Sequence, residues 1–280
     1  MGFVRVVEVF PPLFPSSRRM EDRIDPEHRL KRFLDDARRV SPHADVLLVA
    51  DVKNTKLLKF SALQAAALLK EKIGVGVAPV LVARDFNRPQ FLSNILTGLS
   101  LELDYLMFAW GDNYPPAAGA TNVRDFRNLA EVLREAALLR TRARAATRFL
   151  APVNIERLAR PGEVVRAREK LLAGADYLLA QPPTTDVEVL ARHAELLRRA
   201  ELKDRVLLNV FPFRDSKDVR ECESYFGWQL PKTLHDAAKK GGKALVEAER
   251  GVVRALRDEG FPGVYLNTRG TPANAERLLS

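Results

Sequence analysis

A single cysteine, Cys222, stands among 280 residues, so no disulfide can form within one chain and no thiolate cluster can hold a metal. Its expected state is an inert, small apolar side chain. No apolar run approaches the roughly 18 residues that a membrane helix requires. The opening MGFVRVVEVFPP enters a strand pattern directly, without the charged-then-apolar order of a secretory leader. These absences predict a cytoplasmic protein with no membrane partner. The four histidines, His28, His43, His193 and His235, fall in or beside predicted helices, and no two have the spacing of zinc ligands, so neither a metal nor a histidine-based triad is expected. No glycine-rich dinucleotide fingerprint follows the first strand pattern. Gly241-Gly242-Lys243 lacks the upstream glycine and the hydroxyl residue of a phosphate loop, and reads as a helix start.

Positive charge is in excess, with 45 Lys and Arg against 36 Asp and Glu, a net of +9. It is spread over helical segments such as KRFLDDARR and LREAALLRTRARAATR, where acidic neighbours make it a solvated outer face. No nucleic-acid motif accompanies it, so a nucleic-acid partner is not expected. Arginine richness with three methionines and one cysteine fits a heat-adapted protein.

What the chain does have is alternation. Eight short apolar runs are separated by helix-like stretches, and they lead into polar residues: Glu8, Asp51, Arg84, Asp112, Asn154, Gln181, Asn209 and Asn267. Strands are predicted at 4–10, 45–51, 77–83, 104–109, 147–151, 175–180, 206–210 and 263–266. Helices are predicted at about 25–40, 55–73, 89–99, 123–139, 161–172, 186–200, 216–225 and 242–259. Continuous apolar strands suit a parallel sheet covered on both faces. An open doubly wound sheet gives the same alternation. Eight units without the dinucleotide fingerprint favour one (β/α)8 TIM barrel over residues 1–280, whose strand ends converge on a single active face.

Glu8 alternates with Val4 and Val6 and so shares their apolar face. Desolvation there would keep its carboxyl protonated near neutrality, as a general acid requires, unless a nearby Arg or Lys neutralises it. Asp112 follows strand four behind Gly111, which lets backbone approach a ligand; the alternative is a turn aspartate satisfied by its own backbone. Gln181 offers donors and an acceptor to a heterocycle edge, or else ties loops together.

Four segments carry a resemblance. Val7-Glu8-Val9-Phe10-Pro11-Pro12 resembles the Phe-Glu-Phe-Phe-Pro-Pro opening of methylenetetrahydrofolate reductases, and Trp110-Gly111-Asp112 with the prolines that follow resembles their Arg-Gly-Asp-Pro segment. Lys170-Leu171-Leu172-Ala173-Gly174-Ala175-Asp176, leading to Gln181 and Asp186, is similar to their Lys-x-x-x-Ala-Gly-Ala stretch ending in Gln-Phe-Phe-Phe-Asp. Val264-Tyr265-Leu266-Asn267 lies where they have Phe-Tyr-Thr-Leu-Asn. The resemblance spans residues 4–269. It implies an oxidoreductase of one-carbon metabolism and methionine biosynthesis, in which NAD(P)H reduces FAD and the flavin delivers hydride to a methylene-folate or related pterin. It implies Glu8 as the acid on the folate, Asp112 near flavin and pterin, Lys170 on the flavin and Gln181 on the folate, with Asp51, Trp110 and Gly111 at the cofactor.

The chain departs from the family at four places. The family's Thr after strand two is Ala50-Asp51, its His in strand three falls at Ala78-Pro79-Val80, its Arg before Gly-Asp is Trp110, and its Tyr-Pro after strand five is Ala151-Pro152. Arg84, Lys53, Arg214 and Lys217 are the candidates for replacement phosphate contacts. The departures open two alternatives: a flavin-free pterin-binding accessory barrel, or a reductase that passes hydride to the pterin without flavin. The sequence leaves room for a homo-oligomer.

Overall fold

The structure, a computed structural model, describes residues 2–15, 25–51, 57–114, 122–269 and 271–279. Eight parallel strands close into a barrel: β1 (Val4–Val9), β2 (Val46–Val49), β3 (Gly76–Val82), β4 (Tyr105–Ala109), β5 (Arg148–Asn154), β6 (Tyr177–Gln181), β7 (Val206–Val210) and β8 (Gly263–Leu266). Each strand pairs with its neighbours in sequence, and β8 returns to β1 with Val4 beside Gly263 and Val7 beside Leu266. This closure makes the fold a single (β/α)8 barrel and rules out the open sheet. Gly263 permits it, because a Cβ there would collide with the Val4 carbonyl oxygen.

The outer layer holds α1 (Pro26–Val40), α2 (Ala62–Ile73), α3 (Arg88–Ser100), α4 (Leu129–Ala143), α5 (Pro161–Leu172), α6 (Val187–Arg199), α7 (Ser216–Phe226), α8 (Lys232–Lys240), α9 (Gly242–Asp258) and α10 (Ala273–Leu279). Side-chain caps fix several starts. Asp25, Asn87, Asn128, Asp186 and Asp215 each accept a backbone N–H from the first turn that follows. Outward strand residues such as Val7, Leu47, Phe108, Phe149 and Leu208 pack against these helices. Inward residues, among them Val6, Leu48, Ala78, Met107, Leu150, Leu179, Leu207 and Tyr265, fill the barrel as a solid core.

Four expectations change. The sequence pattern ends strand five at Ala151 before Pro152, yet β5 continues to Asn154, with Pro152 beside Leu179 of β6. Proline lacks a donor but still accepts, and the barrel strand runs through it. The helix expected from residue 55 starts at Ala62, and Leu57–Lys59 instead pairs antiparallel with Leu13–Pro15. Residues 52–56, Lys53 included, lie outside the described residues. The helix expected from residue 123 starts at Leu129, because Asn128 caps it. α8 and α10 are additional to the expected helices. Among the described residues no helix is long and apolar enough to cross a membrane.

Candidate functional site

The site is built from the alternation along β1. Val4 and Val6 lie against the barrel interior, and Glu8 follows as the next inward side chain, 6% exposed. From the far side of the closing seam, Tyr265 of β8 donates its hydroxyl to Glu8 Oε2. Burial pushes the Glu8 carboxyl up to about 7, and the opposing pulls of the Tyr265 hydroxyl and of the backbone and charge of Arg269 do not cancel it. A carboxyl balanced there gives up a proton and regains it within the physiological range.

The competing possibility, neutralisation by a basic side chain, depends on where Arg269 points. It turns its guanidinium away, onto both carboxylate oxygens of Asp218 at 2.7 and 2.6 Å. Burial pushes Asp218 up, yet hydrogen bonds from Arg269 and Arg214 outweigh it and hold the carboxylate well below its ordinary range. Among the described residues no lysine or arginine forms an ion pair with Glu8. The backbone at Arg269 is left-handed, with φ 51°, and Asn267 Oδ1 accepts its N–H at 3.1 Å. Thr268 Oγ1 donates to the Glu8 carbonyl at 2.8 Å, which fixes the end of β1 to the end of β8.

The rim around this pair has two characters. Inward parity on β5, β6, β7 and β8 brings up four carboxamides, Asn154, Gln181, Asn209 and Asn267, with Asn154 beside Gln181 and Asn209 beside Tyr265. On β2, β3 and β4 the same parity brings up Ala50, Val82 and Ala109. Asn209 is fully buried, and neither its Nδ2 nor its Oδ1 has a hydrogen-bond partner among the described residues. A buried amide in that state costs stability and points to a polar guest. The mouth thus sets an amide wall and an acid against an apolar wall, an arrangement that suits a flat heterocycle with a polar edge.

Solved structures share this architecture. A protein from Clostridium thermocellum that binds two copies of 5-methyl-5,6,7,8-tetrahydrofolic acid superposes with a TM-score of 0.56 at 11% identity, over 99% of this chain and 94% of that one. Oxaloacetate acetylhydrolase superposes with a TM-score of 0.51 at 14% identity, over 98% of this chain and 78% of that one. Its complex with 3,3-difluorooxalacetate gives 0.54 at 12% identity over the same shares. At such identities the likeness is one of fold. No protein-family model and no curated protein sequence matches the chain.

The residues expected at a flavin are dispersed. Trp110 packs against the outer core, under the guanidinium of Arg124 at 5.2 Å. Gly111 carries φ 78°, and a Cβ there would strike Val82 and stand 2.9 Å from Arg84 Cβ. The side chain of Asp112 is exposed, and its backbone carbonyl accepts Arg84 Nη1 at 3.0 Å. Lys170 sits in the last turn of α5 and donates to the Pro152 carbonyl at 2.6 Å, with burial pulling its pKa down. Asp51 pairs with Lys59. The candidate phosphate contacts are also engaged elsewhere: Arg84 with Asp85 at 2.7 and 2.8 Å, Arg214 with Asp218 at 3.0 Å and Lys217 near Glu221 at 3.7 Å. As placed, Asp51, Trp110 and Lys170 are engaged by other residues of the chain. Glu8 and Gln181 do face the mouth together, joined by Tyr265, Asn209 and Asn267, whose roles depend on strand parity and barrel closure.

Proposed function

We propose that this barrel binds a reduced folate-type pterin over Glu8 and reduces a methylene group on that pterin to a methyl group. The observation that carries the reading is the buried Glu8–Tyr265 pair at the mouth, a carboxyl poised near neutrality that forms no ion pair with a lysine or arginine among the described residues. The folate-binding protein that shares the fold supports the ligand class, and the resemblance of the strand-end motifs supports the reaction.

In this reading the carboxyl of Glu8 protonates the ring nitrogen that leaves the methylene carbon. The carbon–nitrogen bond breaks as its electron pair takes that proton, and an iminium remains on the other nitrogen. The iminium carbon then accepts a hydride from NAD(P)H, so one proton and one hydride account for the new methyl group. Tyr265 hydrogen-bonds the carboxylate left on Glu8, a charge-assisted contact that strengthens as the proton departs. Gln181 and Asn209 supply donors and acceptors to the ring edge, and Ala50, Val82 and Ala109 cover its face.

The dispersal of Trp110, Asp112 and Lys170 favours a second reading, a pterin-binding barrel without redox chemistry. The test is incubation with methylenetetrahydrofolate and NADH or NADPH, with and without added FAD, and mass detection of the methyl product. Product without FAD supports direct hydride delivery. Binding without product moves the weight to the second reading, and turnover that depends on FAD would overturn the flavin-free account.

A further inference from the structure

Arg269 begins beside one acid and ends on another. Its backbone follows Thr268, whose hydroxyl donates to the Glu8 carbonyl at 2.8 Å, and its N–H and positive charge already draw Glu8 toward the ionised form. Its guanidinium sits instead on Asp218, a buried residue of α7, at 2.7 and 2.6 Å, and its Nη1 also lies 2.9 Å from Cys222 Sγ. The rings of Phe211 and Phe213 face the guanidinium at 5.6 and 5.5 Å and close the apolar side of this seat. Asp218 is itself fixed. Asp215 Oδ1 accepts its backbone N–H at 2.9 Å in the first turn of α7, and the backbone N–H and guanidinium of Arg214 each donate to its carboxylate at 3.0 Å.

Two cations and an amide keep Asp218 ionised, so its forked pair with Arg269 is charge-assisted throughout the range in which Glu8 titrates. Glu8 would have to release a proton in a buried place to compete for the same cation. Glu249 of α9 is the third acid that feels Arg269; it accepts the Phe213 N–H at 2.7 Å, and neither its Oε2 nor Arg269 Nε has a hydrogen-bond partner among the described residues. Tyr265 faces Glu8 from β8, and Arg214, Glu221, Cys222 and Arg277 complete the charged and titratable groups that act on this cluster among the described residues. We infer that Asp218 is a positioning residue for the acid: it holds the Arg269 guanidinium on the α7 side of the mouth, and so leaves the Glu8 carboxyl able to carry a proton. The inference rests on the folate-type reading for what that proton does, whereas the hold itself is a property of the chain without ligand. When Asp218 loses its charge, the cation that already acts on Glu8 is released to it, and the acid ionises as its partner.

The test titrates the full chain by NMR, isotopically labelled at glutamate Cδ, with Glu8→Gln and Glu249→Gln assigning the two buried carboxyls. Glu8 should titrate at about 7 in wild type. In Asp218→Asn it should titrate about one to three pH units lower, as a carboxyl does when it gains a guanidinium partner. Adding Arg269→Gln to Asp218→Asn should return Glu8 to its wild-type value or above, a rescue that a general loosening of α7 would not give. In Asp218→Asn an unmoved Glu8, or a fall at Glu249 in its place, would overturn the inference. Wild type supplies a measurement that needs no change at Asp218. The nitrogen resonances of the Arg269 guanidinium, assigned with Arg269→Gln, should stay fixed while Glu8 ionises, and movement in step with Glu8 would overturn the inference as well. No ligand enters either titration, so a wild-type chain that forms no methyl product overturns the folate-type reading and leaves the hold on Glu8 standing.

Discussion

The hydroxyl of Tyr265 reaches Oε2 of Glu8 across the seam where the barrel closes, joining residues 257 positions apart in the chain. Because this bond favours the ionised carboxyl, it restrains the upward push of burial on Glu8. Tyr265→Phe should therefore move Glu8 above its present value of about 7. A hydrogen bond to a charged group contributes about 1.5–3 kcal/mol, so the carboxyl should titrate about one to two pH units higher. The basic limb of the pH–rate profile, where Glu8 loses its proton, should move up by that amount. A limb that stays in place would show that another group supplies the proton.

Asn209 makes a prediction of opposite sign for stability and binding. Asn209→Leu removes two buried polar atoms without hydrogen-bond partners among the described residues, so thermal unfolding should move up, by about 1–2 kcal/mol of stability. Affinity for 5-methyltetrahydrofolate should fall about tenfold or more, since the ring edge loses its partner. A lower melting temperature would mean that the amide holds the fold together.

Much of this architecture is readable from the chain, and the reason is periodicity. Runs such as Val46-Leu47-Leu48-Val49 and Val206-Leu207-Leu208 can be buried on both faces only in a covered parallel sheet, and the parity of Val4, Val6 and Glu8 places the acid inside. Parity also puts Asn154, Gln181, Asn209 and Asn267 at strand ends. What parity cannot supply is which side chains meet across closure, so the bond between Tyr265 and Glu8 needs the folded barrel. Nor does adjacency fix direction: Trp110 turns to the outer layer, Asp112 to solvent, and the glycine between them adopts a left-handed backbone. Lys170 lies within the lysine motif, yet it donates to the Pro152 carbonyl.

That glycine gives a contrast between neighbours. Gly111→Ala meets both a positive φ and the side chains of Val82 and Arg84, and should cost about 2–4 kcal/mol of stability in denaturant unfolding. Asp112→Asn changes only an exposed side chain and leaves the carbonyl that binds Arg84, so it should change stability by less than about 0.5 kcal/mol. Equal losses would show that the Asp112 carboxylate has a structural partner.

A second buried acid sets the pH dependence of stability. Glu249 accepts the Phe213 N–H at 2.7 Å, and burial pushes it up to about 8 from an ordinary value of 4.5. The folded chain holds this proton where the unfolded chain has lost it, so the stability it contributes is complete below pH 4.5 and is lost as pH rises through about 8. Glu8 acts in the same direction up to about 7. His193, held down near 4 by burial from an ordinary 6.5, acts oppositely and only as pH falls below 6.5. Between pH 6.5 and 8 the acids act alone among these three groups, and the urea midpoint should fall across that window. Glu249→Gln should flatten the fall, since a buried acid held in its protonated form loses about 1.4 kcal/mol of stability for each pH unit climbed. An unchanged slope would contradict the burial of the charge as its cause.

The most direct test of the account is calorimetric titration of 5-methyltetrahydrofolate into the wild-type chain and into Glu8→Gln. Glutamine keeps the shape and cannot ionise, so the variant should still bind the methyl form while formation of methyl product from methylenetetrahydrofolate falls by roughly a hundredfold or more. Wild-type protein that takes up no folate, or a Glu8→Gln variant that forms product at the wild-type rate, would contradict the assignment of this barrel mouth as a pterin site with Glu8 as its acid.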